Sequence, residues 1–119
     1  MPDGIRLRMM EPGEAEALRA IGPDPEPIER FVAFLLRHEV FVAERRADEA
    51  PVGFAAAADL AALSGSDGAG AGCYWVSALS VSAGEPEREA IRAGLLDGVA
   101  ARAGWFFHRA VGIAVGREE

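Results

Sequence analysis

The chain has 119 residues and carries 19 acidic against 12 basic side chains, for a net charge of −7. This length suits a single domain over residues 1–119 that buries a core without a disulfide or a metal, and the acidic balance argues against a nucleic-acid binder, which needs a basic surface. A single cysteine, no leader pattern and no apolar run of membrane-spanning length lead us to expect a cytoplasmic protein that does not associate with membranes.

The first part of the chain predicts one strand and two helices. Ile5 to Met10 alternates apolar and basic residues, which is typical of a half-buried strand near the edge of a sheet. The composition of Glu14 to Ile21 favours a short helix that ends at the turn-forming residues 22–25. From Pro27 onward, apolar residues recur at the spacing of a helix with one buried face: Ile28, Phe31, Val32, Leu35 and Leu36.

Two strands joined by a polar hairpin are predicted next. Val40–Glu44 and Val52–Ala58 are apolar, and the segment 45–51 between them contains charged residues and a proline. The strand prediction covers Val52–Ala57. Because alanine is also the best helix former, Phe54–Leu63 could instead be helical, and the state of Ala58–Leu63 stays open. The Gly, Ala and Ser residues of 64–72 predict a flexible connector.

A buried strand followed by a tight turn and a helix organises the second half of the chain. Residues 73–83 are apolar on both faces, which is typical of a central strand. After Gly84, a helix is expected from Glu85 to about Gly104. Its N-terminus would lie beside the carboxyl end of the strand, a common binding place for anionic cofactors. Strict alternation along the strand predicts one face with Trp75, Leu79 and Val81 and another with Tyr74, Val76 and Ala78.

The apolar run at 105–115 predicts a final strand. The order of elements is then strand, helix, helix, three strands, helix and strand. Such an order indicates an α+β domain with a mostly antiparallel sheet, in which the helical crossover makes the last two strands parallel.

This order of elements resembles the first two-thirds of the GNAT (Gcn5-related N-acetyltransferase) fold, over residues 4–115. The resemblance implies a mixed sheet with helices on both faces, here truncated after the fifth strand. It also implies acyl-CoA-dependent N-acyl transfer, with the pantetheine held through the backbone of Leu79 and Val81. Four segments carry it: Glu39–Glu44 and Ala50–Ala55 look like the family's second and third strands, Trp75–Ser82 like its fourth strand, and Ile91–Leu96 like the apolar anchor of the next helix.

The family's diagnostic loop has the form Gln/Arg-x-x-Gly-x-Gly/Ala and takes the pyrophosphate of acetyl-CoA on its backbone N–H groups. In this sequence Glu87 falls at the Gln/Arg position, or Arg88 if the register slips by one. Arg88, Ala90 and Arg92 fall near the expected glycines. The glycines are absent, so side chains keep the backbone away from a phosphate.

Three carboxylates, Glu85, Glu87 and Glu89, lie at the expected positive end of this helix. Two interpretations stay open. The carboxylates simply cap the helix, or the loop is an altered CoA site in which arginines supply the positive charge. The candidate cofactor-binding residues are Leu79, Val81, Arg88, Ala90 and Arg92, with acetyl-CoA as the cofactor that the resemblance implies.

The resemblance supports two hypotheses of function. One is a weak acetyl-CoA-dependent N-acyltransferase that acts on the amine of a small molecule or a protein. The other is an inactive GNAT-like dimerisation or regulatory module. In the family a helix and two strands follow the fifth strand, and without them the apolar strand 105–115 would be an open edge, so we expect a homodimer through it.

No catalytic residue is identified from the sequence. The chain lacks Lys, Asn, Gln and Thr, which excludes a Walker-type loop, a lysine Schiff base and a side-chain amide in an oxyanion hole. Its two histidines and one cysteine have no zinc spacing, so no metal is expected. Ser80 and Ser82 lie near the crevice, but no base with triad spacing accompanies them. His108 is interpreted as a structural histidine.

The remaining polar candidates have ordinary structural interpretations. His38 follows the second predicted helix and is interpreted as a cationic cap of its C-terminus. Glu39 and Glu44 are candidates for a general base if an acceptor groove exists, although charged residues at strand ends are usually solvated. Cys73 and Tyr74 begin the central strand, where core packing is expected.

Overall fold

The predicted order of helices and strands is confirmed where the structure describes the chain. A computed structural model describes residues 1–22, 27–59, 73–105 and 110–113. In chain order the elements are β1 (Ile5–Met9), α1 (Ala15–Ile21), α2 (Ile28–Leu35), β2 (Glu39–Arg45), β3 (Pro51–Asp59), β4 (Cys73–Val81), α3 (Arg88–Trp105) and β5 (Ala110–Ile113).

Three of the sequence predictions change or stay untested at these boundaries. Trp105 ends α3, so the predicted strand at 105–115 does not include it, whereas the predicted helix end near Gly104 is confirmed. Ala58 belongs to β3. Asp59, the next residue of that open segment, also belongs to β3. Residues 60–63, the connector 64–72 and residues 106–109 and 114–115 of the final strand lie outside the described residues.

The described strands form one sheet in the order β1-β2-β3-β4-β5. Neighbours pair antiparallel from β1 to β4, and β4 pairs parallel with β5. A parallel pair needs a long crossover, and α3 lies between these two strands in the chain. The predicted α+β class with a mixed sheet is therefore confirmed, and β1 lies at an edge, as its alternating pattern indicated.

Helices cover both faces of this sheet, because each helix has one apolar stripe to bury. Helix α3 packs on one face, which we call the α3 face, and α1 and α2 pack on the other, which we call the α1–α2 face. The predicted helices on both faces are thus confirmed. The helical members of the two cores are Ile91, Leu95, Val99 and Ala103 on the α3 face and Leu18, Phe31 and Leu35 on the α1–α2 face.

A β-bulge interrupts the pairing of β4 with β3. The register steps from Ala56↔Ala78 to Ala57↔Val76, so Ser77 is an extra residue in β4 without a partner in β3. An extra residue of this kind kinks the strand and re-aims its own side chain.

The predicted faces of β4 are wrong because of this bulge. Tyr74 and Val76 lie in the same core as Leu79 and Val81, on the α3 face. Ala78 packs on the α1–α2 face instead. A shift of one residue moves side chains to the opposite face of a sheet, and the apolar composition of both faces gave no sign of the shift.

Helix α3 begins at Arg88, later than the predicted start at Glu85. The N–H of Glu85 donates to the carbonyl of Ser82 at 3.1 Å, which closes a turn. The N–H of Ile91 donates to the carbonyl of Glu87 at 3.0 Å, in the manner of a helix whose first residue is Arg88. Glu85 therefore belongs to the connecting turn and Glu87 to the position just before the helix.

Leu95 and Leu36 offer a matched test of which apolar residues hold this fold together. Leu95 is fully buried on the α3 face, whereas Leu36 is 77% exposed. We expect Leu95→Ala to lower the free energy of unfolding by about 2–5 kcal/mol, because the deletion leaves a cavity. Leu36→Ala should change it by less than about 0.5 kcal/mol. Urea unfolding followed by circular dichroism measures both, and equal effects would contradict the packing described here.

Candidate functional site

A cavity lies where β4 ends and the turn towards α3 begins, at the place predicted from the sequence. Its volume is about 670 Å³. Ala17, Ala20 and Ile21 of α1 form one wall, and Pro51, Val81 and the turn residues 82–84 form the other. These residues are small or apolar, so the cavity offers space and backbone polar groups rather than charged side chains.

Backbone hydrogen bonds anchor the turn beside this cavity. The N–H of Ser82 donates to the carbonyl of Val52 at 2.7 Å, which ties the turn to β3. The N–H of Glu85 donates back to the carbonyl of Ser82. The wall that the turn gives to the cavity is therefore held in place by the sheet.

Two of the five predicted cofactor-binding residues lie together at this wall. Val81 lines the cavity, and the Nε and Nη2 atoms of Arg88 both donate to its carbonyl oxygen at 3.3 Å. Leu79 is buried on the α3 face. Ala90 is exposed and Arg92 is half-buried farther along α3, and neither lines the cavity.

The edge of β4 next to the cavity is the second element of the site. The described pairs between β4 and β5 run as far as Val76↔Ile113. Leu79 and Val81 lie beyond this last pair and are matched with β3 on their other side. Among the described residues, segment 78–81 of β4 is therefore paired with β3 alone.

An ion pair neutralises one of the three carboxylates predicted at the start of α3. Oε1 of Glu85 lies 2.5 Å from Nη2 of Arg45, at the tip of the β2–β3 hairpin, and Arg45 also contacts Asp48 at 2.9 Å. Hydrogen bonds to these two carboxylates, Glu85 first, raise the pKa of Arg45. Because Glu85 is engaged by the hairpin, Glu87 and Glu89 are left as the carboxylates that act on the positive end of α3.

Glu44 is buried in a network of charges rather than solvated. It accepts hydrogen bonds from Arg6 and from Nε of Arg8, the latter at 2.6 Å, and Arg8 also binds Glu14 through Nη1 at 2.9 Å. Hydrogen bonding to Arg8 lowers the pKa of Glu44 and of Glu14. A carboxylate held in its ionised form this way is a poor proton acceptor, so the arrangement does not favour Glu44 as a general base.

Glu39, the other candidate base, is also engaged. The hydroxyl of Tyr74 donates to Oε1 of Glu39, and Nη2 of Arg102 donates to Oε2 at 2.8 Å. Burial and the carboxylate together raise the pKa of Tyr74. Tyr74 lies near the start of β4 and Val81 at its end, so this cluster joins α3 to the sheet far along the strand from the cavity. The predicted core position of Tyr74 is confirmed.

His38 lies between α2 and β4 and contacts both. Its Nδ1 atom is 2.7 Å from the carbonyl oxygen of Phe34, in the last turn of α2, and its Nε2 atom is 2.9 Å from Oγ of Ser77. The ring also packs on Phe34, with 4.3 Å between ring centroids. Burial lowers the pKa of His38. His38 therefore caps α2 as predicted, but as a neutral ring and not as a cation.

The contact between His38 and Ser77 is the feature that sequence reasoning missed. The two residues are separated by 39 positions, and Ser77 turns towards α2 through a bulge that leaves no local pattern. Of the serines that were considered, Ser82 lines the cavity and Ser80 is buried. His108 lies outside the described residues.

This chain is similar to known proteins in structure rather than in sequence. No protein-family model matches the sequence, and no curated protein matches it. Solved structures do match. A GCN5-related N-acetyltransferase from Kribbella flavida is 19% identical, with 93% of this chain and 71% of that chain covered and a TM-score of 0.72. The chain has the GNAT fold.

Two further matching structures have names that belong to different functional classes. The aminoglycoside N-acetyltransferase AAC(6')-Iy, solved in complex with CoA, is 19% identical, with 98% of this chain and 81% of that chain covered and a TM-score of 0.71. A transcriptional regulator from Bacillus halodurans is 14% identical, with 95% and 83% covered and a TM-score of 0.71. The TM-scores establish the GNAT fold. Sequence identities this low do not establish a function, which is inferred from the site instead.

The described residues also bear on membrane crossing and on metal binding. None of the helices there combines the length and the apolar composition that crossing a bilayer requires. The same residues contain no group of three His, Cys, Asp or Glu side chains placed to hold a metal ion.

The Glu44 network predicts a specific loss of stability in acid. A pKa lowered by folding stabilises the folded state above the unfolded value, and this stabilisation is lost as the pH falls through the folded value. We expect Glu44→Gln to lower the melting temperature at pH 7. The difference from the unchanged chain should shrink below about pH 4, near the ordinary glutamate value.

Glu16→Gln, which alters an exposed carboxylate of α1, is the matched control and should show neither effect. Thermal melts followed by circular dichroism between pH 7 and pH 3 provide the comparison. A Glu44→Gln variant as stable as the control at pH 7 would show that the network does not stabilise the fold.

Proposed function

We propose that this GNAT-fold chain binds an acyl-CoA thioester and transfers its acyl group to an amine. The observation that carries the proposal is the cavity at the end of β4, which is bordered by the turn into α3 and by Val81, whose carbonyl accepts hydrogen bonds from Arg88. The GNAT-fold neighbour AAC(6')-Iy is named as an N-acetyltransferase and was solved with CoA, which supports the cofactor class. The acceptor is proposed as an amine of a small molecule or a protein.

The residues of this site fit the parts of such a cofactor. The backbone of Leu79 and Val81, at the end of β4 that leads to the cavity, would hold the amide-bearing pantetheine. Arg88 and Arg92, separated by one helical turn, would supply positive charge for the diphosphate, and Ala90 between them would leave space. When bound, the thioester supplies an activated acyl group, and the chain contributes mainly its positioning.

The start of α3 determines how tightly CoA binds in this proposal. Glu87 stands just before the helix, where its charge opposes a diphosphate, and Arg88 attracts it. We expect Glu87→Gln to strengthen CoA binding by roughly two- to fivefold, and Arg88→Gln to weaken it. A loop with glycines, made by changing Glu87 to Gln and both Arg88 and Ala90 to Gly, tests instead whether close backbone approach outweighs the lost charge.

Isothermal titration calorimetry with acetyl-CoA and with desulfo-CoA measures these affinities. Glu16→Gln, on an exposed surface of α1, serves as the control and should bind like the unchanged chain. Absence of heat at millimolar acetyl-CoA with the unchanged chain would remove the proposal.

A second candidate function is a GNAT-fold dimerisation or regulatory module without catalysis. Two observations favour it: segment 85–92 contains no glycine, and a protein named as a transcriptional regulator has the same fold. In this case the final strand, which includes β5, would pair between two copies. Sedimentation at micromolar concentration tests it, with a dimer expected and a clean 12.5 kDa monomer against it.

A further inference from the structure

Ser77 and His38 form a hydrogen-bonded pair. Positioning an acyl-CoA next to an amine does not require such a pair. Oγ of Ser77 is 2.9 Å from Nε2 of His38, and Nδ1 of His38 is 2.7 Å from the carbonyl oxygen of Phe34. A carbonyl oxygen only accepts hydrogen bonds, so Nδ1 carries the ring proton and Nε2 is left as an acceptor for the serine hydroxyl. Consecutive hydrogen bonds therefore link the serine hydroxyl, the histidine ring and the carbonyl that orients the ring. This is the arrangement of a nucleophile, its base and a group that orients the base.

The fold holds this pair in position from both sides. His38 is fixed at the end of α2 by the Phe34 carbonyl and by the Phe34 ring. Ser77 is the bulge residue of β4, released from pairing with β3 and turned towards α2. Both residues are half-buried, so the pair is partly shielded from water.

The bulge also lies on the strand that leads to the cavity. The last described pair of β4 with β5 is at Val76, immediately before Ser77, and Val81 at the cavity lies four residues further on. At about 3.3 Å per residue, the strand between Ser77 and Val81 spans roughly 13 Å. An extended donor with its anionic end near the turn would bring its reactive end towards Ser77.

We propose that Ser77 is an acyl-accepting nucleophile and that His38 is its general base, so that the chain forms an acyl-serine ester from a thioester or an activated ester. Oγ of Ser77 forms a bond to the acyl carbon while its proton passes to Nε2 of His38. The carbon–sulfur bond of the thioester breaks, and His38 returns the proton to the sulfur. With an activated ester, the alcohol oxygen leaves in place of the sulfur.

The ester is then consumed by an amine or by water. A carbon–nitrogen or carbon–oxygen bond forms, the ester bond to Oγ breaks, and a proton of the attacking molecule returns to Ser77 through His38. Where the donor is acyl-CoA, this step rests on the proposed function. With a small activated ester it does not, which separates the two ideas experimentally.

The test uses the full chain with two acyl donors, p-nitrophenyl acetate and acetyl-CoA. Release of p-nitrophenolate is followed by absorbance, and the quenched protein is analysed by intact mass and peptide mapping. We expect an initial burst or a turnover above background with p-nitrophenyl acetate, and one acetyl group on Ser77. Ser77→Ala should abolish both, and His38→Gln should slow acylation at least about a hundredfold.

Glu16→Gln, which alters an exposed carboxylate of α1, is the control and should acylate like the unchanged chain. Circular dichroism melts of all variants show whether each still folds, and Ser77→Thr, which keeps a hydroxyl, should retain part of the rate if Ser77→Ala unfolds. Acetylation by the ester alone would support the pair and show that acetyl-CoA is not its acyl donor, whereas calorimetry tests CoA binding separately. Acetyl groups elsewhere, or a rate that neither variant changes, would overturn the proposal while leaving calorimetric CoA binding intact.

Discussion

In β4, Ser77 has no partner on β3. The residues of β4 before Ser77 are therefore shifted by one position, in their pairing with β3, relative to the residues after it. If side chains alternated strictly along β4, Tyr74 and Val76 would point away from α3. The helix would then contact only the part of β4 that contains Leu79 and Val81. With the bulge, β4 presents apolar side chains to α3 on both sides of Ser77. The same offset turns Ser77 towards His38. One constraint thus accounts for the packing of the long helix and for a polar contact beside the candidate site.

Arginine–carboxylate pairs decide which charges remain for chemistry. Glu44 and Glu39, the two carboxylates considered as bases, are held by arginines and by a tyrosine, and Glu85 is held by the hairpin. The chain has no lysine, and the planar guanidinium suits such pairing because it binds a carboxylate through several donors. At the start of α3, Arg88 lies against the cavity wall while Glu87 and Glu89 are exposed.

The parts of the fold that could be predicted from the sequence are those with a local periodic signal. Ile91, Leu95 and Val99 recur at helical spacing and are fully buried, and Gly84 marks the turn before α3. The faces of β4 could not be predicted, because a strand that is apolar on both faces gives no alternation to reveal a bulge. The start of α3 was predicted too early because Glu85 suits a first helical turn equally well, and the distant Arg45 engages it instead.

The candidate site was predicted in place but not in detail. A strand that leads through a tight turn into a helix indicates a crevice, and the cavity lies there. The burial of Glu44 and the contact of His38 with Ser77 depend on residues far apart in the chain, and polar residues carry no periodic signal that would bring them together. Each of these features is a tertiary contact, which a single sequence does not specify locally.

The central claim is that the end of β4 and the turn into α3 bind the anionic part of a CoA thioester. Titration of the ¹⁵N-labelled chain with desulfo-CoA, followed by amide chemical shifts, tests it most directly. We expect saturable shifts concentrated in segments 77–85 and 88–92, with Glu39, Arg102 and Leu36 unaffected. Shifts centred on the exposed surface around Leu36, or no shifts at millimolar ligand, would contradict it.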